Sequence, residues 1–404
     1  MKSFAILLSL VTLSFGSFND VVDIDQLANE GGQMHFQNKY PTYPGIDIDL
    51  GAKCLVQLEH GKPPLWMTEL EKIHAKAKGI NFFDITHDGE LGLHGKVNAA
   101  KARKFPSSPK KTTEVGRVLK KLSTAGPKAN LEKFTSFRTR YYRSETGKQS
   151  QQWLLSKVKE ITEENASASL QSLITTTEFP HAWGQNTIIV KINGSSTDDK
   201  SLVIIGAHQD STNMWPFLPA PGADDDGSGT VTVLEAYRAL LASDFRPERT
   251  VEFHWYSAEE GGLLGSQAVA RSYEAAGADV YAMAQFDMTA WVKKGTREEV
   301  GIITDFTDSG LTEFNRQLVE AYLNIPWVDT KCGYACSDHA PWNKAGYPSI
   351  FTIESTFENS NPHIHSTSDR IDISPEFSFD HMLEFSKLAV GLAIELGGWT
   401  KTKA

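Results

Sequence analysis

From about residue 112 onward, the sequence predicts an α/β fold in which one sheet is covered by helices on both faces. Two observations carry this expectation. Short β-branched or apolar runs alternate with segments whose apolar residues recur at helical spacing. Acidic and histidine residues also cluster where those runs end, which is where an open α/β sheet places its site.

The elements follow in chain order. Thr187 to Ile192 and Leu202 to Ile205 read as strands, and Gly227 to Ala242 as a helix. Thr250 to Tyr256 is strand-like and Gly262 to Ala275 helix-like. Val280 to Phe286, Val300 to Ile303 and Ser349 to Ile353 are further strands, and Met382 to Leu396 is a terminal helix. No internal repeat or low-complexity tract interrupts the series.

Residues 17 to about 100 differ. They contain polar, broken segments, one helix expected near Trp66 to Lys78, and a short apolar patch, Ile80-Asn81-Phe82-Phe83. The run from Lys101 to Lys111 is basic and rich in Pro and Ser, hence expected to be exposed and open to proteolysis. Residues 17–100 are therefore read as a pro-segment, a small accessory domain with a basic linker being the alternative, and 101–404 as the main domain, with the cut between about residues 85 and 112. Ahead of it, Met1-Lys2-Ser3 precedes an apolar run, Phe4 to Leu13, and then the small residues of Ser14-Phe15-Gly16. That order is expected of a secretory signal over residues 1–16, and so of an extracellular protein.

The 404 residues suffice for one large domain and a smaller segment. The formal net charge of −10 offers no basic stripe for nucleic acid. No later stretch approaches a membrane span. Of the three cysteines, the spacing makes Cys54 the spare beside Cys332 and Cys336. Asn165-Ala-Ser and Asn193-Gly-Ser have the form of glycosylation acceptors.

The chemistry-bearing clusters lie at strand ends. Ile204-Ile205-Gly206-Ala207-His208 ends on an imidazole, and Asp210 is placed to take its outward N–H. Asp224-Asp225-Asp226 stands in a Gly-rich turn before a helix. One or two such carboxylates would merely cap the helix, but three suggest that one bridges cations. Glu259-Glu260 follows a strand, so that one side chain can bind a metal while its neighbour faces substrate as a base. Asp287 ends a largely apolar strand, and His363 and His365 share a polar loop in which spacing does not choose between them. Each signal is weak alone; together they supply imidazoles and carboxylates suited to zinc.

In this order, Gly-Ala-His208-x-Asp210-Ser, Pro-Gly-Ala-Asp-Asp225-Asp-Gly-Ser-Gly, Ala-Glu259-Glu260-Gly, Asp287-Met-Thr and Ile-His365-Ser-Thr-x-Asp occur, with Cys332-Gly-Tyr334-Ala-Cys336-Ser-Asp-His before the last. Over about residues 130 to 397 the chain resembles the secreted bacterial and fungal leucine aminopeptidases with a co-catalytic dizinc centre. Asn-Phe-Phe-Asp84-Ile-Thr also looks like their fungal-type pro-segment.

The resemblance implies a single domain with a mixed, twisted eight-stranded sheet between helices, and two zinc ions per subunit. Asp225 would bridge them, with His208 and Asp287 completing one set and Glu260 and His365 the other. Glu259 would be the general base, Asp210 the partner of His208, and Tyr334 a donor to the developing oxyanion. A cis peptide would join Asp225 to Asp226, and a disulfide Cys332 to Cys336. The pocket for the first side chain would include Met288, Ile303, Phe351, Phe357 and Ile364, with Ser360 where some relatives have a tyrosine. The implied activity removes N-terminal residues, preferably bulky apolar ones such as Leu, from peptides by zinc-activated water. The implied protein is a monomer with its pro-segment as inhibitor or folding aid, and without nucleic-acid or membrane partners. A single-zinc glutaminyl-cyclase-like acyltransferase and a metal-free peptide-binding relative are the alternatives.

Overall fold

The computed structural model describes residues 43–58, 63–99 and 103–400. The expected signal peptide and the first part of the expected pro-segment lie outside the described residues, as do Lys101 and Ala102. Tyr43 and Pro44 belong to a first unit ending at Pro44; everything described from Gly45 onward packs as one compact unit.

Three short strands come first: β1 (Lys53–Gln57), β2 (Leu65–Thr68) and β3 (Phe83–Asp84), with β1 central and both pairings antiparallel. The helix expected from Trp66 begins later, at Glu69, because Trp66 and Met67 pair with Leu55 and Cys54 on β1. Thr68 then caps the helix: its hydroxyl accepts from the Glu71 N–H at 3.1 Å while the Glu71 carboxylate accepts from the Thr68 N–H at 2.6 Å.

The remaining strands, β4 (Ile174–Phe179), β5 (Thr187–Ile192), β6 (Leu202–His208), β7 (Thr250–Tyr256), β8 (Val280–Phe286), β9 (Val300–Ile303), β10 (Trp327–Thr330) and β11 (Ser349–Ile353), form one eight-stranded sheet in the order β10-β9-β11-β8-β6-β7-β5-β4. The sheet is mixed: β7-β6-β8-β11 run parallel, whereas β4-β5, β5-β7 and β9-β11 are antiparallel. Edge strands β4 and β10 lack a fully buried apolar run, so apolar patterning does not reveal them.

Alternation along β6 builds the two layers. Val203, Ile205 and Ala207 face a core shared with the helices Gly227–Leu241 and Phe379–Gly397. Ile204 faces the opposite side, with Val269 and Ala270 of the helix Leu264–Ala275 and Trp342. Both faces are therefore covered, as expected. Among the described residues, no helix is long and apolar enough to cross a membrane.

Because β6, β7 and β8 are parallel neighbours, their carboxyl ends share one edge. His208 on β6 lies in register with Tyr256 on β7, and Gly206 with Gln285 on β8. The chain leaving β7 and β8 therefore carries Glu259, Glu260 and Asp287 to where His208 already stands.

Candidate metal centre

The turns that leave this edge are sharp. Ala258, Met288 and His365 have φ of 57°, 55° and 54°, a left-handed conformation unusual for residues with a side chain. Gly222 also has a positive φ, and a Cβ there would lie 2.4 Å from Ser211 Cβ, so the turn into the aspartates requires glycine.

The three consecutive aspartates have separate tasks. Asp224 accepts from the Ser228 hydroxyl at 3.0 Å, the Ala290 N–H at 3.1 Å and the Asn361 amide at 2.9 Å. Asp226 caps the following helix, accepting from the Gly229 N–H at 2.8 Å, and also accepts the N–H groups of Met288 (3.1 Å) and His208 (3.0 Å). Only Asp225, joined to Asp226 by a cis peptide as the resemblance implies, is turned into the cleft.

Around Asp225 two groups of ligand-type atoms converge. Asp225, Glu260 and His365 lie within 4.8 Å of one another, as do His208, Asp226 and Asp287. In the second group both Asp226 oxygens are taken by backbone N–H groups. Asp225 is the better placed carboxylate there, with Oδ1 3.1 Å from His208 Nε2; its Oδ2 is 2.9 Å from His365 Nε2. Asp287 Oδ1 lies 3.6 Å from His208 Nε2, and Glu260 Oε2 3.2 Å from His365 Nε2. Zinc bonds of about 2.0–2.2 Å in a tetrahedron put neighbouring ligand atoms about 3.3 Å apart, so these spacings suit zinc. His208 Nε2, Glu260 Oε1 and Asp287 Oδ1 are buried without a hydrogen-bond partner, as atoms meant for a cation are. The donor set thus fits a pair of metal ions bridged by Asp225.

The electrostatics agree. Burial disfavours the charged His365 ring, but Glu260 and Asp225 outweigh it and raise its pKa to about 9. Burial likewise opposes protonation of His208, and Asp287, Asp210 and Asp225 reverse the balance. A field that draws protons onto two buried imidazoles will also hold divalent cations.

A second layer of contacts fixes the ligands. The Asp210 carboxylate accepts from the Glu259 and Glu260 N–H groups at 3.1 and 3.2 Å, and its Oδ1 faces His208 Nδ1 at 3.4 Å, which is long for a hydrogen bond. The Ser337 hydroxyl donates to Asp287 at 2.5 Å. Asp369 accepts from the N–H groups of Asp224 (3.0 Å) and Asp225 (3.1 Å). Arg140, wholly buried, donates to the carbonyls of Gln209, Pro221 and Gly222 and so braces the same turn. Asp369 and Ser337 lie inside the motifs quoted above; Arg140 had no sequence signal.

Glu259 lines the cleft beside these groups without belonging to either ligand group. Its pKa is raised, chiefly by burial, with His208 opposing and Glu260 adding to it. Tyr334 also lines the cleft, on the loop closed by the Cys332–Cys336 disulfide. Of the two loop histidines, His365 reaches the cluster, while His363 packs edge-on against Trp291 at 5.5 Å.

Next to the metal ligands, Met288, Ile303, Phe351 and Ile353 form a buried cluster, with Phe357, Ile364, Cys332 and Cys336 against it. Met288, Phe351, Phe357 and Ile364 line the cleft; Ile303 stands behind this wall, and Ile353, not expected, completes it. Of the acceptor asparagines, Asn193 is exposed, whereas the Asn165 amide donates to the Ile161 carbonyl at 2.9 Å. Cys54 is free and buried.

The leader and the basic run after it make contacts that the sequence does not reveal. None of the site residues expected from the sequence falls in the pro-segment, yet its Lys76, Ile80, Asn81 and Phe82 line the cleft, and Lys76 pairs with Glu260. Long side chains at the end of a helix reach farther than their sequence context reveals. The basic run, expected to be exposed, is exposed at Lys104, Ser107, Ser108 and Lys110, and it is also anchored: Arg103 pairs with Asp279, Phe105 packs on Tyr281 at 5.3 Å, and the Lys110 and Lys111 N–H groups donate to Glu395 at 3.0 and 2.8 Å.

Comparison with known proteins sets this geometry among relatives. A family model described as Peptidase family M28 matches residues 187–389. The chain is 49% identical over 407 residues to Leucine aminopeptidase 1 of Pyrenophora teres f. teres, covering 98% of each chain. It is 51% identical over 353 residues to Leucine aminopeptidase 1 of Fusarium vanettenii, covering 85% of this chain and 87% of that one. Among solved structures, the LapA aminopeptidase of Legionella pneumophila superposes with a TM-score of 0.74 at 28% identity, covering 87% of this chain and 100% of that one. A glutaminyl cyclase of Porphyromonas gingivalis, with a TM-score of 0.51 at 19% identity over 68% of this chain and 99% of that one, shares the fold alone.

Proposed function

The chain belongs to peptidase family M28 and is a metallo-aminopeptidase, and from that premise we propose that it is secreted, holds two zinc ions, and removes bulky apolar residues such as Leu from peptide N-termini. The observation that carries the two-ion reading is the Asp225 carboxylate, whose separate oxygens stand 3.1 Å from His208 and 2.9 Å from His365. His208 and Asp287 would complete one ligand set, Glu260 and His365 the other. Bound there, zinc would supply Lewis acidity toward the scissile carbonyl and toward a water.

The chain's own residues do the rest. Glu259 accepts a proton from the attacking water and later delivers it to the leaving amine. It lines the cleft beside both ligand groups without belonging to either, where such a group must stand. Asp210 binds the Glu259 and Glu260 N–H groups and faces the His208 ring at 3.4 Å, so it can keep base and ligands in one relative geometry. Tyr334 donates to the developing oxyanion. The wall of Met288, Phe351, Phe357 and Ile364 receives the first side chain and selects for apolar surface.

We further propose that the leader through about residue 100 is removed and inhibits before removal. Its Lys76, Ile80 and Phe82 stand in the cleft where a peptide must enter. Residues 103–111, pinned as described, stay with the mature body, which we take to be a monomer. Asn193 is the better glycosylation candidate because it is exposed. A substrate panel of aminoacyl anilides, free and N-acetylated, on protein of known zinc content tests the activity. Leu, Met and Phe should lead, and equal cleavage of acetylated substrates would defeat the exopeptidase reading. N-terminal sequencing of active protein from culture medium tests removal; a start near Ser17 with full activity would refute it.

A further inference from the structure

The helix Glu69–Ala77 sets two ammonium groups, four residues apart, over the ligand edge of the sheet. Lys72 is satisfied largely within its own segment, by Glu69 and Asp84 at 2.8 Å each, with the Gly261 carbonyl at 3.3 Å. Among the described residues, the hydrogen bonds of Lys76 go to the partner it reaches across the cleft: its Nζ donates to Glu260 Oε2 and, at 3.1 Å, to the Glu260 carbonyl. That carboxylate oxygen is the one 3.2 Å from His365 Nε2. The ammonium therefore engages the ligand atom that faces one ion position.

We propose that Lys76 is an internal stand-in cation that weakens the hold of the Asp225–Glu260–His365 group on its zinc ion for as long as the leader is attached. This rests on the two-ion reading given above and adds a mode of regulation to it. The physical reason has two parts. A fixed positive charge within the ligand cluster repels a second cation in a poorly screened site. The ammonium also draws on the lone pairs of Glu260 Oε2 that a metal would share. The His208–Asp287 side has no lysine against it among the described residues, so its ion is held as before. Ile80 and Phe82 can exclude peptides without touching the ligands; Lys76 acts on the metal itself. Loss of the leader would then open the cleft and complete the metal pair in one event.

The test reads metal, because the leader blocks activity in any case. The unprocessed chain, its leader verified by mass, is dialysed to equilibrium against graded free zinc, and zinc per chain is measured for the native protein, Lys76→Gln and Lys76→Arg. Unchanged thermal unfolding of the variants shows that the fold is kept. The native chain and Lys76→Arg should bind one zinc tightly and the second at least about tenfold more weakly than Lys76→Gln does. Two zincs bound alike by the native chain and Lys76→Gln would overturn the role of Lys76 and leave the two-ion reading standing. One zinc in all three at saturation would overturn the two-ion reading and this inference with it. If Lys76→Arg bound the second zinc as tightly as Lys76→Gln, charge would not be the cause and the proposal would fail.

Discussion

Cys54, Glu69 and Asp84 bring ligand-type atoms within 4.8 Å of one another, and so do Asp225, Glu260 and His365. By residue type either group resembles a metal site. The difference lies in what else is buried there. The first group encloses Lys72, whose ammonium lies 2.8 Å from both carboxylates, and the Cys54 thiol donates to Glu69 at 3.1 Å. Burial pushes that thiol up to about 12, with Lys72 pulling the other way, so it stays protonated and is a poor ligand. The second group also meets an ammonium, Lys76 on Glu260 Oε2, but Glu260 Oε1 is left without a partner, and beside it so are His208 Nε2 and Asp287 Oδ1. A cluster of ligand-type residues can serve as a metal site where the protein leaves ligand lone pairs in it unanswered. Treatment with a chelator should therefore abolish the activity of the mature protein, and in the unprocessed chain should remove bound zinc while leaving hydrogen exchange over residues 53–84 unchanged; increased exchange there would show the comparison to be wrong.

The largest single effect should come from Glu259→Ala, which removes the base and no ligand. Its kcat should fall by about 10²–10⁴-fold with zinc content unchanged. Loss of zinc, with full activity per remaining metal, would make Glu259 a ligand instead.

Lys72→Met attacks the other cluster and should rank next. It leaves two buried carboxylates without their cation, a change that costs about 3–5 kcal/mol in buried pairs. Urea unfolding of the full chain, read by hydrogen exchange in residues 53–84, measures it; an undisturbed segment would mean that water already solvates the pair.

Asp210→Ala should cost about 10–100-fold in zinc affinity or activity, because it orients a ligand without being one. A loss as large as that of Glu259→Ala would give it a part in the chemistry itself.

The smallest effect concerns pH. Burial raises the Asp84 pKa, but the Lys72 ammonium and the Thr86 contacts outweigh this, and the net direction is downward. A carboxylate lowered on folding contributes stability that is complete above its ordinary pKa of about 3.9 and is lost as pH falls through the lower folded value. Docking of residues 53–84 should hold at pH 5 and weaken only below about pH 4. A transition near pH 6, followed by hydrogen exchange, would point to another group.

Much of the site was legible because its residues end apolar runs. His208 closes β6 and Asp287 follows β8, both strands buried on two faces and so readable as continuous apolar stretches. The three aspartates were legible as a cluster but not as separate roles. Asp226 as cap and Asp225 as bridge differ only in which way the turn directs each side chain. The edge strands β4 and β10 were illegible because half-exposed strands lack a distinctive apolar pattern.

The sequence by itself determined the α/β class and the set of chemically competent side chains, because strand and helix periodicities and ligand types are local properties. The resemblance then supplied the roles. Spacing left open which of two histidines turns inward, and the resemblance named His365; tertiary structure alone decided that Ile353 and not Ile303 lines the pocket, and that Lys76 crosses from the leader to Glu260. Each of these depends on the meeting of segments far apart in the chain, Lys76 and Glu260 being 184 residues apart. No local pattern records that encounter, since packing of the whole unit fixes which distant groups share one low-dielectric space.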